Sequence, residues 1–306
     1  MAADDGSPFD PLAARRLDAV AAGRALRRMA SAGDAPWLHG EVARRLAERL
    51  ASMRAEPRRI VDWWAATGAG ADPLRVAYPR AERVAVEAAS ALAVLPASPG
   101  ARAWWPFGRA PAAARLGDAA ADAEIGRAQL VWANMVLHLV RDPPALFARW
   151  HGLLEEGGVA VFSCLGPGTL RELRAIYAEH GWPAPTPAFI DMHDLGDMMV
   201  QAGFAEPVLD QETLTLRWPD AEALLAELHQ LGGNTAPDRF AGLRTRAWRR
   251  SLEAALSGLA EADGRIAMSI EVAYGHGFKA APRPKAGGPV AVPLEKMREM
   301  VRRPRR

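Results

Sequence analysis

The chain has 306 residues, of which 50% are hydrophobic and 24% are charged, and its formal net charge is +2. This is the composition of a globular protein with a full core, and no apolar run approaches the roughly 20 residues that a membrane span needs. With no secretory signal pattern and one cysteine, which excludes a disulfide framework and a cysteine-based metal site, the chain is expected in the cytoplasm.

Two Arg-rich amphipathic helices are predicted at the start of the chain. Residues 9–31 carry Leu at helical spacing, and residues 38–53 place Val42, Leu46 and Leu50 on one face. We assign residues 1–35 to an N-terminal helical extension. Both helices are expected to pack on the domain and to cap its ligand cleft.

A nucleotide-binding βαβ unit is predicted next. Residues 60–64 form a short buried strand, a Gly-containing turn and a helix to about residue 78 follow, and a second strand over 83–86 ends on Glu87. In such units the helix N-terminus approaches the cofactor and the second acid accepts hydrogen bonds from ribose hydroxyls. A third strand is expected within residues 91–128, where the pair Trp104-Trp105 either packs under a loop or lines a pocket.

A second βαβ unit spans residues 129–170. The apolar runs 130–132 and 159–164 flank an amphipathic segment over 143–154, which predicts parallel strands joined by a right-handed helical crossover. Ligands bind beyond the carboxyl ends of such strands. Asn134 and the turn at 163–168 are therefore the first candidates for a site.

The remaining elements complete the sheet. Helices are predicted over 170–179, from about 189, over 221–231 and over 243–259, and strands over 207–217 and 265–278 form a closing antiparallel pair. From Lys279 onward nine Lys or Arg and two Glu give a net +7, whereas residues 1–278 carry about −5. The basic charge thus belongs to a flexible tail, residues 280–306, and no nucleic-acid-binding face is expected.

The polar cluster at the start of the helix near residue 189 resembles a metal site only in composition. Its spacing and the helix start behind it favour capping and helix-dipole interactions, so no metal is expected. The residues concerned are Asp191, His193, Asp194 and Asp197. Cys164 is expected to be a packed strand residue.

Four segments carry a resemblance to a known family: LVWANMVLHLV, LLEEGGVAVFSCLGPGTLRELR, FIDMHDLGDMMVQAGFAEPVLDQETLTL and IEVAYGHGFK. With the order of elements, they resemble the malonyl-acyl carrier protein O-methyltransferases of biotin synthesis, over roughly residues 38–279. The resemblance implies an α/β fold of the class I methyltransferase, Rossmann-like type. Its seven-stranded, mostly parallel sheet has one antiparallel strand and helices on both faces.

The activity implied is methyl transfer from S-adenosylmethionine to the free carboxylate of malonyl-acyl carrier protein or malonyl-CoA. A carboxylate is already ionised at neutral pH and the sulfonium is a strong electrophile, so no general base is required. Catalysis would rest on in-line positioning and on partial desolvation of the nucleophile.

The resemblance also assigns cofactor residues. Asp62 matches the acid of the first strand, Gly68 the last glycine of the cofactor turn, Glu87 the ribose acid, and Asn134 the polar residue after the fourth strand. A family turn reads acid, any, Gly, any, Gly, any, Gly. This chain departs from the pattern at three positions: Trp64 and Ala66 replace the first two glycines, and Gln129 stands where an acid is common.

For the candidate substrate residues, two roles remain open in each case. His138 is either a positioning residue or a structural histidine. Either one of Arg171 and Arg174 pairs with the substrate carboxylate, or both lie on a solvated helix face with Glu172. A run of arginines either steers an acidic acyl carrier protein or is likewise solvated. These arginines are Arg239, Arg244, Arg246, Arg249 and Arg250.

The methyltransferase domain is expected over residues 36–279, with a helical insertion at about 219–260. Two alternatives to the implied activity remain open. One is a non-catalytic relative whose altered turn no longer binds S-adenosylmethionine, and the other is a methyltransferase for another small acid.

Overall fold

The computed structural model describes residues 17–53, 55–95 and 114–281. The predictions for Trp104-Trp105 and for nearly all of the basic tail lie outside these residues. None of the helices in the described part has the length and apolarity of a membrane span.

A seven-stranded sheet with the order β3-β2-β1-β4-β5-β7-β6 forms the centre of the molecule. Strands β1 to β5 are mutually parallel, and β7 runs antiparallel between β5 and β6. The predicted fold class and the antiparallel closing pair are thereby confirmed. The strands are β1 Arg59–Trp63, β2 Glu82–Glu87, β3 Ala114–Gly117, β4 Ala128–Ala133, β5 Leu154–Leu165, β6 Ala205–Trp218 and β7 Ile266–Phe278.

Helices cover both faces of the sheet. Before β4 they are α1 Ala19–Ser31, α2 Trp37–Ala51, α3 Ala65–Gly68, α4 Ala71–Ala77, α5 Ala89–Leu92 and α6 Asp122–Ile125. A 3₁₀ turn, Leu137–Leu139, follows β4. The later helices are α7 Pro143–Leu153, α8 Arg171–Glu179, α9 Met192–Gln201, α10 Ala221–Gln230 and α11 Arg246–Ser257.

Most predicted elements agree with the observed ones to within a few residues, and four points differ. The first helix, predicted over 9–31, begins at Ala19 after its N-cap Asp18, with residues 9–16 outside the described part, and β5 begins at Leu154, five residues before the predicted start. The helix expected after the first turn is divided into α3 and α4, because Ala69 takes a left-handed conformation with φ 53°. The third strand, which the pattern does not locate, is the four-residue β3. Among the described residues it pairs only with β2, so a short segment suffices at that edge of the sheet.

The alternation of side chains along the strands separates two apolar cores. Val61 and Trp63 of β1 belong to one core with α1, α7 and α9, whereas Ile60 faces the other, with α2, α8, α10 and α11. The strands are apolar on both faces, as expected for parallel strands covered by helices. Cys164 lies in the first core and is 2% exposed, which confirms its prediction as a packed strand residue.

Helix α1 and the residue before it contact the segment that follows α10. The Arg28 guanidinium donates to the carbonyl of Gly232, and Arg239 forms an ion pair with Asp18 at 2.7 Å. The same helix packs on α3 and α5, which lie at the carboxyl ends of β1 and β2. It therefore covers this edge of the sheet, as expected for a helix that caps the cleft, while the proposed domain boundaries remain predictions.

Candidate functional site

The carboxyl ends of β1 and β4 form the topological switch point of the sheet, because the chain goes from β1 to β2 on one side and continues at β4 on the other. Open α/β sheets bind ligands at such a point. Trp64, Glu87 and Asn134 stand at the ends of β1, β2 and β4 respectively. The structure thus brings these sequence-predicted positions to one edge.

Glu87 ends β2 and is 1% exposed. Both of its carboxylate oxygens accept from the Ala66 amide at 3.1 Å, and the Arg115 guanidinium lies 3.6 Å away. Burial raises the pKa of Glu87 to about 7, against the opposing effects of the Ala66 amide and the Arg115 charge. The predicted ribose acid is therefore paired with the turn of its own chain.

Asp62 lies beneath the turn and is fully buried. Its Oδ2 accepts from the Arg83 guanidinium at 2.8 Å, and burial raises its pKa to about 6 in spite of the Arg83 charge. A Cβ on Gly70 would lie 2.8 Å from Asp62 Oδ1 and 2.6 Å from Trp132 Nε1, so α4 can begin this close to the strands only with glycine. Asp62 thus supports the turn from below.

Trp64 occupies the first of the three glycine positions of the turn. Its backbone is left-handed, with φ 55° and ψ 49°, a conformation that bulky residues rarely adopt. Its indole is 7% exposed and donates from Nε1 to Asp118 Oδ2 at 3.2 Å. Gly68, the retained glycine, has little room either, since an added Cβ would lie 3.2 Å from the Asn134 carbonyl oxygen.

Both polar atoms of the Asn134 side-chain amide form hydrogen bonds within the protein. Its Nδ2 donates to the carbonyls of His39 at 2.8 Å and Gly68 at 2.7 Å, and its Oδ1 accepts from the Ser163 hydroxyl at 2.7 Å. The buried His39 ring lies 2.6 Å from the Thr67 carbonyl oxygen, and burial lowers its pKa to about 4. The side chain of Asn134 therefore ties the turn to α2 and to β5.

An apolar cavity of about 250 Å³ lies beside these strand ends, between α2, α8 and α10. His138, which follows β4 and is 6% exposed, borders it together with Leu38 and Leu173. Thr186 contributes a buried hydroxyl that has no hydrogen-bond partner among the described residues. The cavity thus combines apolar walls with an unsatisfied polar group.

The two candidate substrate arginines have different environments. The Arg171 side chain is 68% exposed and pairs with Glu172, so it lies on the solvated helix face that was one of its two predicted roles. Arg174 donates to the Pro167 carbonyl and lines a second pocket, which shares Thr186 and Pro187 with the apolar cavity. Of the two, the structure brings Arg174 nearer to the cavity.

The predicted arginine run is partly engaged within the protein. Arg239 pairs with Asp18 and Arg249 with Glu253, and the Arg244 guanidinium stacks 4.2 Å from the Trp248 ring. Arg246 and Arg250 are exposed on α11. The solvent-facing charge of this run is thus concentrated on one helix.

The acidic cluster near α9 serves the helix, as predicted. The Asp191 carboxylate accepts from the His193 amide at 2.8 Å and caps the N-terminus of α9. Among the described residues, no group of three or more acidic, His or Cys side chains is arranged to hold a metal ion.

Sequence reasoning missed two contributors to this edge, Asp118 and Thr186. Asp118 directly follows β3, and since that strand could not be located, no signal marked the residue as a strand-end acid. Ser163, at the start of the candidate turn 163–168, lies within β5 and donates to Asn134. The burial of Thr186 comes from a loop whose path has no sequence signature.

The residues at this edge fit S-adenosylmethionine in type and position, but not in the conformation observed. An acid ends β2 and a glycine remains in the turn, as the cofactor requires. However, Glu87 is bonded to the Ala66 amide, and the indole of Trp64, directly after β1, donates to Asp118, directly after β3. A bound ribose would have to displace these contacts.

The chain matches the family model "Methyltransferase domain" over residues 37–206. It is 36% identical, over 89% of this chain and 94% of the relative, to the malonyl-[acyl-carrier protein] O-methyltransferase of Gallionella capsiferriformans. Identity to the protein of that name from Laribacter hongkongensis is 37%, over 85% and 88%. A solved phosphoethanolamine N-methyltransferase 2 of Haemonchus contortus with S-adenosyl-L-methionine has 14% identity, coverage of 81% and 54%, and a TM-score of 0.44, too low to carry an inference.

The extent of the matches to these curated relatives decides the family. Identities above one third extend over most of both chains, and the domain match spans more than half of this one. The observed fold, a seven-stranded sheet with one antiparallel strand, agrees with that result. The chain belongs to the malonyl-[acyl-carrier protein] O-methyltransferase family and is an S-adenosylmethionine-dependent methyltransferase.

Proposed function

We propose that the protein methylates the free carboxylate of malonyl-acyl carrier protein, or of malonyl-CoA, in the biosynthesis of biotin in the cytoplasm. The names of the two curated relatives support this substrate. Methylation replaces the charge of the carboxylate by a neutral ester, which allows the product to be elongated as an ordinary acyl chain.

The observation that carries the proposal is the apolar cavity beside the strand ends. Its volume of about 250 Å³ suits a small acyl group, and its walls include Leu38, Leu173 and Leu225. A carboxylate that enters such surroundings loses part of its hydration and becomes a better nucleophile. The Thr186 hydroxyl, buried without a partner among the described residues, offers a hydrogen bond to the thioester carbonyl.

Within this proposal, Arg174 holds the carboxylate. Arg174 lines the pocket that shares Thr186 and Pro187 with the cavity, and a planar guanidinium binds a carboxylate through two parallel hydrogen bonds. His138 is a positioning residue at the wall of the cavity near β4. Arg171, exposed and paired with Glu172, contributes less.

We assign the methyl donor to the edge formed by Asp62, Gly68, Glu87 and Asn134. Glu87 accepts hydrogen bonds from the ribose hydroxyls once the Ala66 amide has moved away. Asp62 and Asn134 act through the turn, because Asp62 Oδ2 accepts from Arg83 and the Asn134 amide donates to the carbonyls of His39 and Gly68, while the buried Asp62 Oδ1 has no hydrogen-bond partner among the described residues.

The test is methyl transfer by the purified protein, followed as S-adenosylhomocysteine release. We expect turnover with malonyl-acyl carrier protein and none with the acetyl form, which has no free carboxylate. Faster turnover of succinyl or free acids would show that another small acid is the substrate. No turnover with any acid, by protein that binds S-adenosylhomocysteine, would refute the proposal.

Two variants form a matched pair on one helix. We expect Arg174→Ala to raise the KM for the malonyl substrate by about tenfold, since one charge-assisted contact contributes about 1.5–3 kcal/mol. Arg171→Ala, on the exposed face, should leave the KM within about twofold of wild type. Equal effects of the two substitutions would show that Arg174 has no special role.

The acyl carrier protein is proposed to dock beside α11, where Arg246 and Arg250 are exposed. Charge complementarity with an acidic partner raises the association rate and makes it dependent on salt. The double variant Arg246→Glu, Arg250→Glu should lower kcat/KM for the carrier-bound substrate by about tenfold at low salt, and leave that for malonyl-CoA unchanged. An equal loss with both substrates would exclude a docking role.

A further inference from the structure

The indole of Trp64 lies across the edge where the adenosine half of the cofactor binds. Trp64 is the first residue after β1, and Asp118 is the first after β3. Strand β2 separates β1 from β3 in the sheet, and the Asp118 carboxylate also accepts from the Ala89 amide just after β2, so the indole and this carboxylate meet at the carboxyl end of β2. Glu87, the ribose acid, is the residue at that end.

Several contacts hold the Trp64 indole against Asp118. The Trp64 amide donates to the Val86 carbonyl at 2.5 Å, and the indole packs in the core that contains Ala88 and Leu139. Asp118 is itself fixed, since its Oδ1 accepts from the Ala89 amide at 3.1 Å. These contacts oppose the cost of a left-handed backbone at a residue with a Cβ, about 1–2 kcal/mol.

The same short segment blocks the ribose acid. Ala66, whose amide bonds both oxygens of Glu87, is only two residues beyond Trp64. Gly68 and Gly70 follow directly, with a left-handed Ala69 between them. Displacement of residues 64–66 would therefore release the indole site and the carboxylate together, while Thr67 and Gly68 stay held by His39 and Asn134.

We infer that Trp64 is a gate over the adenosine site, and that its side chain sets the affinity for S-adenosylmethionine. The cofactor binds when the indole leaves Asp118 and the Ala66 amide leaves Glu87. Because the binding-competent form is a minor one, the apparent Kd is the intrinsic Kd divided by its population. A glycine at this position removes the indole and suits the left-handed backbone.

The experiment measures calorimetric affinity for S-adenosylhomocysteine, without any acceptor, so that failure of the proposed substrate does not affect it. Trp64→Gly is expected to bind about 10- to 100-fold more tightly than wild type. Trp64→Phe, which retains a ring but loses the bond to Asp118, should bind about threefold more tightly. Trp37→Ala, which removes a 52% exposed tryptophan from α2, is the control and should bind like wild type.

Fluorescence gives a second readout. Saturation with S-adenosylhomocysteine should change the emission assigned to Trp64, taken as the difference between wild type and Trp64→Phe. Unchanged or weaker binding by folded Trp64→Gly would overturn the inference. Should Trp64→Gly not fold, unchanged affinity in Trp64→Phe together with an unchanged difference spectrum would overturn it equally.

Discussion

The buried ion pair between Asp62 and Arg83 offers a quantitative test of how the cofactor edge is supported. The pair joins Asp62 Oδ2 to the guanidinium at 2.8 Å, with the Asp62 side chain fully buried and that of Arg83 28% exposed. Arg83→Met keeps most of the aliphatic stem and removes the charge. It leaves a buried carboxylate without its cation.

Removing one partner of a buried pair costs about 3–5 kcal/mol. Because solvent reaches Arg83, we expect the lower end of this range, about 3 kcal/mol at pH 8, and a fall in Tm of about 6–12 °C. Arg83→Lys, which keeps a cation, should lose less than half as much. Arg75→Ala breaks an exposed pair with Asp72 and should cost less than about 1 kcal/mol.

The loss should also depend on pH. The pKa of Asp62 is already raised to about 6 by burial, and removal of the Arg83 charge raises it further. At pH 5 the variant can protonate this carboxyl and avoid a buried charge, so its deficit relative to wild type shrinks; at pH 8 the deficit is full. Urea unfolding at the two pH values measures both. A deficit equal at pH 5 and pH 8, or below about 1 kcal/mol at pH 8, would refute the reasoning.

Three further substitutions test the same edge. Burial raises the pKa of Glu87 from 4.5 to about 7, so the free energy of unfolding of wild type should fall by up to about 3 kcal/mol as pH rises between these values. Glu87→Gln should flatten that part of the stability profile measured with urea, and an unchanged slope would contradict a buried Glu87. Asn134→Ala removes the amide that donates to the Gly68 and His39 carbonyls and accepts from Ser163, and it should cost about 2–4 kcal/mol by calorimetry; a cost under about 1 kcal/mol would contradict this. Gly70→Ala places a Cβ against Trp132 and should cost about 1–3 kcal/mol, whereas Gly40→Ala, in open space on α2, should be neutral or stabilising; equal effects would exclude crowding at Gly70.

The periodic elements were predictable because their patterns are local. Apolar runs of strand length ending in Asn134 and Glu87, and amphipathic helices with clear ends, follow from side-chain periodicity alone. The four-residue β3 could not be located because so short a strand shows no recognisable alternation of side chains, and Asp118, which follows it, was missed for the same reason. Among the site candidates, periodicity placed Asp62, Glu87 and Asn134 near strand ends, but it could not indicate their bonding partners.

What the sequence by itself determined is the order of elements, the family and the positions of the strand-end residues, since each of these is encoded in contiguous motifs. Only the tertiary structure decided what those residues contact. Trp64 and Asp118 are 54 positions apart, and Asn134 and His39 are 95 apart. Their bonds depend on how neighbouring strands and covering helices meet, and that is fixed by packing of the whole chain. The tryptophan that departs from the glycine pattern of the cofactor turn is, in the folded protein, a buried residue whose indole donates to Asp118.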